Sequence, residues 1–197
     1  MGDFVHGTYE ATLRRSEDRV QLQLCRQGRV SDCPLQITKG ITLGAVTDGS
    51  IATLEIAYLL ENVPEGPVLH FAPELNFAGL PGGAEERFFR DSRGESMGHL
   101  GSMLDLSDSN RLDLVDQWLG MEVGLQWDRP TGIWTYPVET VSQSEGGFEL
   151  IHQSVVVQPH WIIEPDANRR WSVTIGLKID TRLAESRMDL PVAAAAV

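Results

Sequence analysis

Alternating apolar and polar residues run through most of the chain, and this period-two pattern constrains the fold more than any other feature. It is typical of half-buried β-strands. Turn signals rich in Gly, Pro, Asp and Asn separate the alternating stretches. The sequence therefore predicts an all-β protein of antiparallel strands that pack as two sheets. The predicted strands span residues 8–15, 19–27, 35–43, 51–62, 67–77, 111–118, 121–128, 132–141, 147–159 and 169–180.

The alternation breaks in two places. Residues 78–110 are rich in Gly, Ser and charged side chains, which predicts a long irregular loop of the kind that is usually functional or mobile. The last residues, about 184–197, end in a short run of alanines and predict a frayed tail. The 197 residues otherwise fit a single β-sandwich domain, because all-β domains reach this length without splitting.

The net charge of the chain is −12 at pH 7. It argues against nucleic acid and membrane surfaces as partners, because both attract basic patches, and it suits a neutral ligand such as a carbohydrate. Cys25 and Cys33 are too few for a disulfide scaffold, so we expect free thiols. The sequence shows no signal peptide and no apolar stretch long enough to span a membrane. We therefore expect a cytoplasmic location.

Short motifs for catalysis and metal binding are weak in this chain. Residues 94–98 read GESMG, but the nucleophile motif Gly-x-Ser-x-Gly needs a buried strand before the serine and a helix after it. Neither pattern surrounds Ser96. Oxygen ligands suited to Ca²⁺ lie at Asp105, Asp108, Asn110 and Asp113 without the spacing of a calcium loop. A loop held by side-chain turns explains them better, so no metal site and no cofactor is predicted.

Aromatic residues concentrate in the C-terminal half, with polar residues among them. Trp134 and Tyr136 share one face of a predicted strand, because residues two apart do so, whereas Glu139 joins them only if a bulge intervenes. An exposed ring stacks on a sugar while amides and carboxylates bind its hydroxyl groups; a buried ring belongs to the core, and both interpretations stay open. The candidate carbohydrate-binding residues are Trp134, Tyr136 and Trp161 for stacking, and His70, Glu74, Asn76, Glu139, Gln143 and Gln153 for hydroxyl groups.

At these residues the sequence resembles a known family. The stretch LVDQWLGMEVGLQWDRPTGIWTYPVETVSQSEGGFELIHQSVVVQPHW, the later WSVTIGLKID and the earlier YLLENVPEGPVLHFAPELNF carry the resemblance. They are similar to the C-terminal β-sandwich domain of glycoside hydrolase family 57 α-amylases and 4-α-glucanotransferases. The resemblance covers residues 7–181, and ETVSQSEGGFE is its most specific element. Nothing in residues 78–110 matches the family.

The resemblance implies an antiparallel β-supersandwich of the galactose-mutarotase type. It also implies that catalysis belongs to a separate (β/α) barrel, whose alternating strand–helix pattern this chain does not show. No catalytic residue is therefore assigned. We expect a non-catalytic accessory domain of an α-glucan-acting enzyme. Such a domain would pack on a catalytic barrel of the same or a companion chain, and would bind α-glucan or another neutral carbohydrate.

Two other interpretations remain open. In the first, the chain is a mutarotase or sugar-epimerase-like enzyme in which His70 with Glu74, or His152 with Glu139, supplies the general acid and base. This requires the pair to share one concave pocket. In the second, the chain is a purely structural module whose exposed apolar patch contacts a catalytic domain.

Overall fold

The computed structural model describes residues 2–30, 32–44, 49–78, 83–144 and 147–188. Antiparallel strands make up nearly all of its regular structure, which confirms the predicted all-β class. Cys25 and Cys33 are free thiols, as expected. No helix in these ranges is long and apolar enough to cross a membrane. The elements are β1 (Glu10–Arg15), β2 (Arg19–Val30), β3 (Cys33–Gly44), β4 (Ile51–Glu61), β5 (His70–Phe71), β6 (Leu75–Ala78), β7 (Arg87–Arg90), β8 (Ser96–His99), β9 (Leu104–Asp116), β10 (Met121–Ser144), β11 (Gly147–Ile162), β12 (Arg170–Asp180) and α1 (Arg182–Met188).

One long strand organises the sheet. The main path of hydrogen-bonded strands runs β1-β2-β3-β4-β12-β10-β9-β7-β8. Strand β10 has 24 residues; residues 122–127 pair with β12, and residues 132–144 pair with β11. Strand β11 in turn pairs with the short strands β5 and β6, off the main path. The second half of β10 therefore begins a branch of the sheet.

Aromatic side chains join this branch to the main sheet. The ring of Phe71 on β5 lies 5.1 Å from that of Tyr58 on β4 and 5.6 Å from that of Trp171 on β12. Trp161 on β11 lies 5.8 Å from Trp171. Because β5 and β11 form no ladder with β4 or β12, these contacts are made by faces that pack on each other. Burial raises the pKa of Tyr58 to about 12, as expected for a ring inside this core.

The interpretation of residues 78–110 as an irregular loop is wrong in large part. The segment contains β7, β8 and the first residues of β9, and β7 pairs with both neighbours. Strands β7 and β8 have four residues each, too few for alternation to reveal them among turn residues. Ser96 is the first residue of β8 and pairs with Arg90 on β7, so it does not lie at a turn from a strand into a helix. The helix α1 occupies the start of the predicted tail, and residues 189–197 lie outside the described residues.

Two buried aspartates on β9 are neutralised by arginines. Asp113 and Asp116 are each 1% exposed. Asp116 accepts a hydrogen bond of 2.9 Å from Arg87, and Asp113 accepts bonds of 3.0 Å from Arg90 and 2.9 Å from Arg111. A buried carboxylate needs such partners. The ion pairs therefore account for Asp113, whose sequence neighbourhood lacks the spacing of a calcium loop.

Truncating a leucine of β10 tests how far stability depends on this strand. Leu125 is 0% exposed, so we expect Leu125→Ala to lower the free energy of unfolding by about 2–5 kcal/mol. The matched control is Leu150→Ala on β11, where the leucine is 67% exposed and the expected change is within about 0.5 kcal/mol. Chemical denaturation measures both; equal losses would contradict the assigned core.

Candidate functional site

The outer face of the branch is set by the alternation of β10. Ile133 and Thr135 point inward and are 0% and 2% exposed. Trp134 and Tyr136 therefore share one face, as predicted, and that face points outward; both side chains are half-buried. Their outward neighbours come from β11, where Trp134 pairs with Gln158 and Tyr136 pairs with Val156.

Trp134 contacts two imidazoles that also contact each other. Its ring stacks on that of His160, with centroids 3.8 Å apart and planes inclined by 20°. His70 on β5 meets Trp134 edge-on at 5.5 Å. Gly132 makes the stack possible, because a side chain there would collide with the His160 ring. The missing side chain at Gly132 thus leaves the space that the His160 imidazole occupies against the indole.

The two histidines share one hydrogen bond. Nε2 of His70 lies 3.0 Å from Nδ1 of His160. Nε2 of His160 is buried without a hydrogen-bond partner among the described residues. A buried N–H without an acceptor is rarer than a buried acceptor without a donor, so the geometry favours a neutral His160 whose proton lies on Nδ1. Burial lowers the pKa of His160, and the neighbouring His70 lowers it further, while Asp105 acts in the opposite direction.

A chain of polar side chains continues the face beside the rings. The carboxylate of Glu74 accepts a hydrogen bond of 2.7 Å from Asn76 Nδ2 and one of 3.3 Å from the hydroxyl of Tyr136. Ser154 donates to Asn76 Oδ1 at 3.3 Å. Burial raises the pKa of Tyr136, and Glu74 adds to this effect. Val156 pairs with both Tyr136 and Asn76 and is 0% exposed, although it lies outside the main core cluster.

Five of the nine residues predicted from the sequence meet on this face, and Trp161 is buried in the core instead. The residues brought together are Trp134, Tyr136, His70, Glu74 and Asn76. Trp161, predicted to stack on a ligand, is instead 5% exposed. It has the opposite parity to His160 on β11, and its indole donates to the carbonyl of Arg129 at 3.2 Å. That prediction is wrong, since Trp161 belongs to the core.

The remaining predicted residues lie elsewhere on the hairpin of β10 and β11. The register shifts between Val138 and Glu139, with Gln153 as the extra residue of β11. Because this bulge lies on β11, Glu139 keeps the parity opposite to Trp134 and does not join the rings. Gln153 bonds to Thr140 within the hairpin, and Gln143 pairs with Phe148 near its end. These three side chains are exposed but do not contribute to the face around Trp134.

Other members of the face were missed by the sequence reasoning. They are His160, Ser154, Gln158 and Asp105, the last being the partner of Trp134 on β9. Gln158 donates to the carbonyl of Ala72 at 3.3 Å. Their even numbering on β11 marks His160, Ser154 and Gln158 as neighbours, but only the register shows which of them face Trp134.

The arrangement can stack and hydrogen-bond a ligand, but it shows little sign of acid–base machinery. His70 is engaged with His160, and Glu74 with Tyr136 and Asn76. The alternative pair, Glu139 and His152, is a cross-strand pair of the hairpin. Within the described ranges, no three His, Cys, Asp or Glu side chains are grouped so as to hold a metal ion.

A cleft of about 530 Å³ lies on another part of the sheet. It is lined by strands of the main path, including Gln21, Thr42 and Gln126, and no described residue of its lining is aromatic. Its lysine, Lys178, is paired with Asp180 at 3.2 Å. The cleft thus lacks a stacking surface, and we place the candidate site at Trp134.

Comparison with known proteins was made against families, sequences and structures. Residues 1–175 match the family described as alpha-amylase/4-alpha-glucanotransferase, C-terminal. The chain is 26% identical over 128 residues to Alpha-amylase 1 of Dictyoglomus thermophilum, covering 62% of this chain and 17% of that protein. It is 27% identical over 155 residues to 4-alpha-glucanotransferase of Thermococcus kodakarensis, covering 79% of this chain and 19% of that protein. The chain thus spans less than a fifth of either relative.

A solved structure shares the fold. The 4-alpha-glucanotransferase from Thermococcus litoralis superimposes with a TM-score of 0.58 and 22% sequence identity. The match covers 91% of this chain and 23% of that one.

The depressed pKa of His160 predicts a loss of stability in acid. Its ordinary pKa is 6.5, so the unfolded chain takes up the proton at a higher pH than the folded chain does. The stabilisation is therefore complete above pH 6.5 and declines as the pH falls toward the folded pKa. We expect His160→Gln, which does not titrate, to flatten the pH dependence of the unfolding free energy in this range. The exposed imidazole of His6 offers the control His6→Gln; identical slopes for His160→Gln and the wild type would contradict the prediction.

Proposed function

The chain belongs to the alpha-amylase/4-alpha-glucanotransferase C-terminal family, and from this membership we propose that it is a non-catalytic accessory domain that binds α-glucan through the face around Trp134. The enzyme it serves would be amylase-like or 4-α-glucanotransferase-like. The family 57 assignment and the galactose-mutarotase-type supersandwich implied by the resemblance belong to the same proposal.

One observation carries the binding part of the proposal: a half-buried indole and a tyrosine stand beside carboxylate, amide and hydroxyl groups on one face. Sugar rings have apolar faces that suit an aromatic ring and hydroxyl groups that suit such polar partners. Trp134 is held by His160 at 3.8 Å, and Glu74 by Asn76 at 2.7 Å. Groups already fixed in this way lose little conformational freedom on binding. The chain's net charge of −12 also favours a neutral ligand over an anion.

The hydrogen bonds that His70 and Glu74 already make with neighbouring side chains support a recognition role for this face. General acid–base catalysis needs a group that titrates within reach of the reacting atom. Burial and His70 favour the neutral form of His160. The carboxylate of Glu74 accepts hydrogen bonds from two neighbouring side chains. Side chains held in this way are suited to recognise a ligand.

The far end of the β10–β11 hairpin supports packing on a catalytic domain. We call residues 139–144 and 147–152 the hairpin arm. Val141 and Leu150 pair across it, and Phe148 lies next along the same face. These side chains are 67%, 67% and 76% exposed, which is unusual for a cluster of apolar residues with no function.

A binding measurement tests the glucan part. We expect the chain to bind maltoheptaose in isothermal titration calorimetry, and Trp134→Ala to weaken the affinity at least about tenfold, or about 1.4 kcal/mol. Tyr136→Phe removes one hydroxyl and is expected to have a smaller effect of about 0.5–1.5 kcal/mol. Gln143→Ala, on the hairpin arm, serves as the control that leaves affinity unchanged. A wild-type chain that gives no heat with maltoheptaose at any accessible concentration refutes glucan binding.

The packing part is tested by self-association. An apolar arm without its partner is expected to cause dimers or larger species of the chain at high concentration, seen in sedimentation velocity. Replacing Val141 and Leu150 together with Ser is expected to restore the monomer without a large change in unfolding free energy, because both side chains are exposed. A wild-type chain that stays monomeric throughout counts against the arm as a contact surface.

A further inference from the structure

The most exposed tryptophan of the chain lies far from the face around Trp134. Trp118 is 66% exposed, whereas Trp127, Trp161 and Trp171 are 3–5% exposed. It stands in the turn between β9 and β10, residues 117–120, which we call the tryptophan turn. The turn precedes the first part of β10, which pairs with β12, whereas Trp134 lies on the second part, which pairs with β11. The two tryptophans therefore belong to different parts of the sheet.

Hydrogen bonds from the preceding strands hold the tryptophan turn. Gln117 donates its backbone N–H to the carbonyl of Glu86 at 2.9 Å. Leu119 donates its backbone N–H to the buried carboxylate of Asp116 at 2.8 Å. The other oxygen of that carboxylate accepts from Arg87 Nε at 2.9 Å. One end of the turn is therefore anchored to the β7–β9 part of the sheet.

The C-terminal helix holds the turn from the other side. Arg187 of α1 donates to the carbonyls of Trp118 and Gln117, each at 2.8 Å. Gly120 has a φ of 70°, and a side chain there would collide with the backbone of α1 at Ala184. Ala184 also donates its N–H to the carbonyl of Gly120 at 3.2 Å. The backbone that carries the exposed Trp118 ring is thus held from both sides.

The surroundings of the ring are mostly polar. The guanidinium of Arg87 lies 5.4 Å from the ring centroid of Trp118, and Gln117 and Arg187 are exposed beside it. Guanidinium and amide groups supply donors and an acceptor for hydroxyl groups. Because the backbone of the turn is already held, less conformational freedom is lost when a flat apolar surface stacks on the ring. The combination suits a neutral, hydroxyl-rich ring better than an anion, since the chain as a whole is acidic.

We propose that Trp118 is the platform of a second carbohydrate site, where a pyranose ring of a neutral oligosaccharide stacks on the indole and its hydroxyl groups meet Gln117 and the arginines. The choice of ligand class rests on the proposed function, but the site does not depend on the face around Trp134. A protein segment docking on the same ring is the competing outcome, favoured by the partly exposed Leu119 and Leu183.

Indole NMR signals separate the two sites in one titration. The five tryptophans each give one indole N–H signal, which single Trp→Phe variants assign. With maltoheptaose we expect the Trp118 signal to shift in a saturable manner, and to do so equally in Trp134→Ala. Movement of Trp134 without Trp118 overturns the second site and leaves the proposed function standing. Movement of Trp118 without Trp134 supports the second site and refutes the first. If neither signal moves, both proposals fail.

Substitutions at the ring distinguish stacking from simple apolar contact. Because Trp118 is 66% exposed, its replacement is not expected to disturb folding, which circular dichroism checks. Trp118→Phe keeps a flat ring and is expected to retain most of the binding at this site. Trp118→Leu keeps an apolar side chain and is expected to weaken that binding at least about tenfold, measured in the background of Trp134→Ala. If the double variant Trp118→Leu/Trp134→Ala binds maltoheptaose as tightly as Trp134→Ala does, the flat ring has no part in binding. That result would overturn the carbohydrate site and leave the turn as a surface for apolar docking.

The hydrogen bonds from Arg187 of α1 to the tryptophan turn allow a test of whether the position of the Trp118 ring matters for binding. Arg187→Ala removes both bonds to the tryptophan turn while leaving the ring in place. We expect a weaker affinity at Trp118 together with a lower heteronuclear NOE for its indole N–H, because the ring must then be ordered on binding. An unchanged affinity with an unchanged NOE would show that the anchor has no part in the site.

Discussion

The parity of β10 is the constraint on which the other features depend. The strand runs for 24 residues without a break. At four of its odd positions, Val123, Leu125, Trp127 and Ile133, the side chain is at most 5% exposed. One residue of slippage would exchange every buried side chain for an outward one. Trp134 and Tyr136 therefore cannot turn inward without expelling Ile133 and Thr135. Burial of the inward side chains of β10 holds the branch of β11, β5 and β6 on the main sheet. The same burial decides which side chains of β10 face outward, so stability and site geometry have a common cause.

The alternation of a strand can be read from the sequence, but the face that is buried often cannot, and this limits how much of the structure the sequence predicts. Alternation located most long strands and placed Trp134 beside Tyr136. It could not say which parity of β11 faces inward, because both faces carry large side chains; Trp161 was therefore assigned to a ligand although it lies in the core. Gln153 could not be recognised as a bulge, since no glycine or proline marks it. His160 joins Trp134 only through the register of two strands and through the space above Gly132, and neither is visible in a local pattern. The short strands β7 and β8 were missed because four residues carry too little alternation.

The acidic residues of the chain fall into two structural kinds, buried carboxylates paired with arginines and exposed carboxylates bonded to neutral groups, and composition alone does not distinguish them. On β9, Asp113 and Asp116 are buried, and arginines from β7 and β9 neutralise them. On the outer face, Glu74 is exposed and accepts hydrogen bonds from neutral groups. The first kind of carboxylate holds strands together, since removing one partner would leave a buried charge. The second kind fixes amide and hydroxyl groups at the surface. Abundant acidic residues therefore do not by themselves indicate a catalytic pair, because Asp113, Asp116 and Glu74 already accept hydrogen bonds from neighbouring side chains.

The tryptophans show how the fold separates core from surface. Trp127 and Trp161 donate their indole N–H groups to the carbonyls of Ser109 and Arg129, which satisfies the polar atom of a buried ring. Trp134 and Trp118 instead contact a neighbouring side chain through one ring face. The imidazole of His160 stacks on Trp134 at 3.8 Å, and the guanidinium of Arg87 lies 5.4 Å from the ring centroid of Trp118. The stacked imidazole and the guanidinium each stabilise their ring through a direct contact and leave part of the ring exposed. That exposed area is the part of each ring that the proposed carbohydrate sites would use.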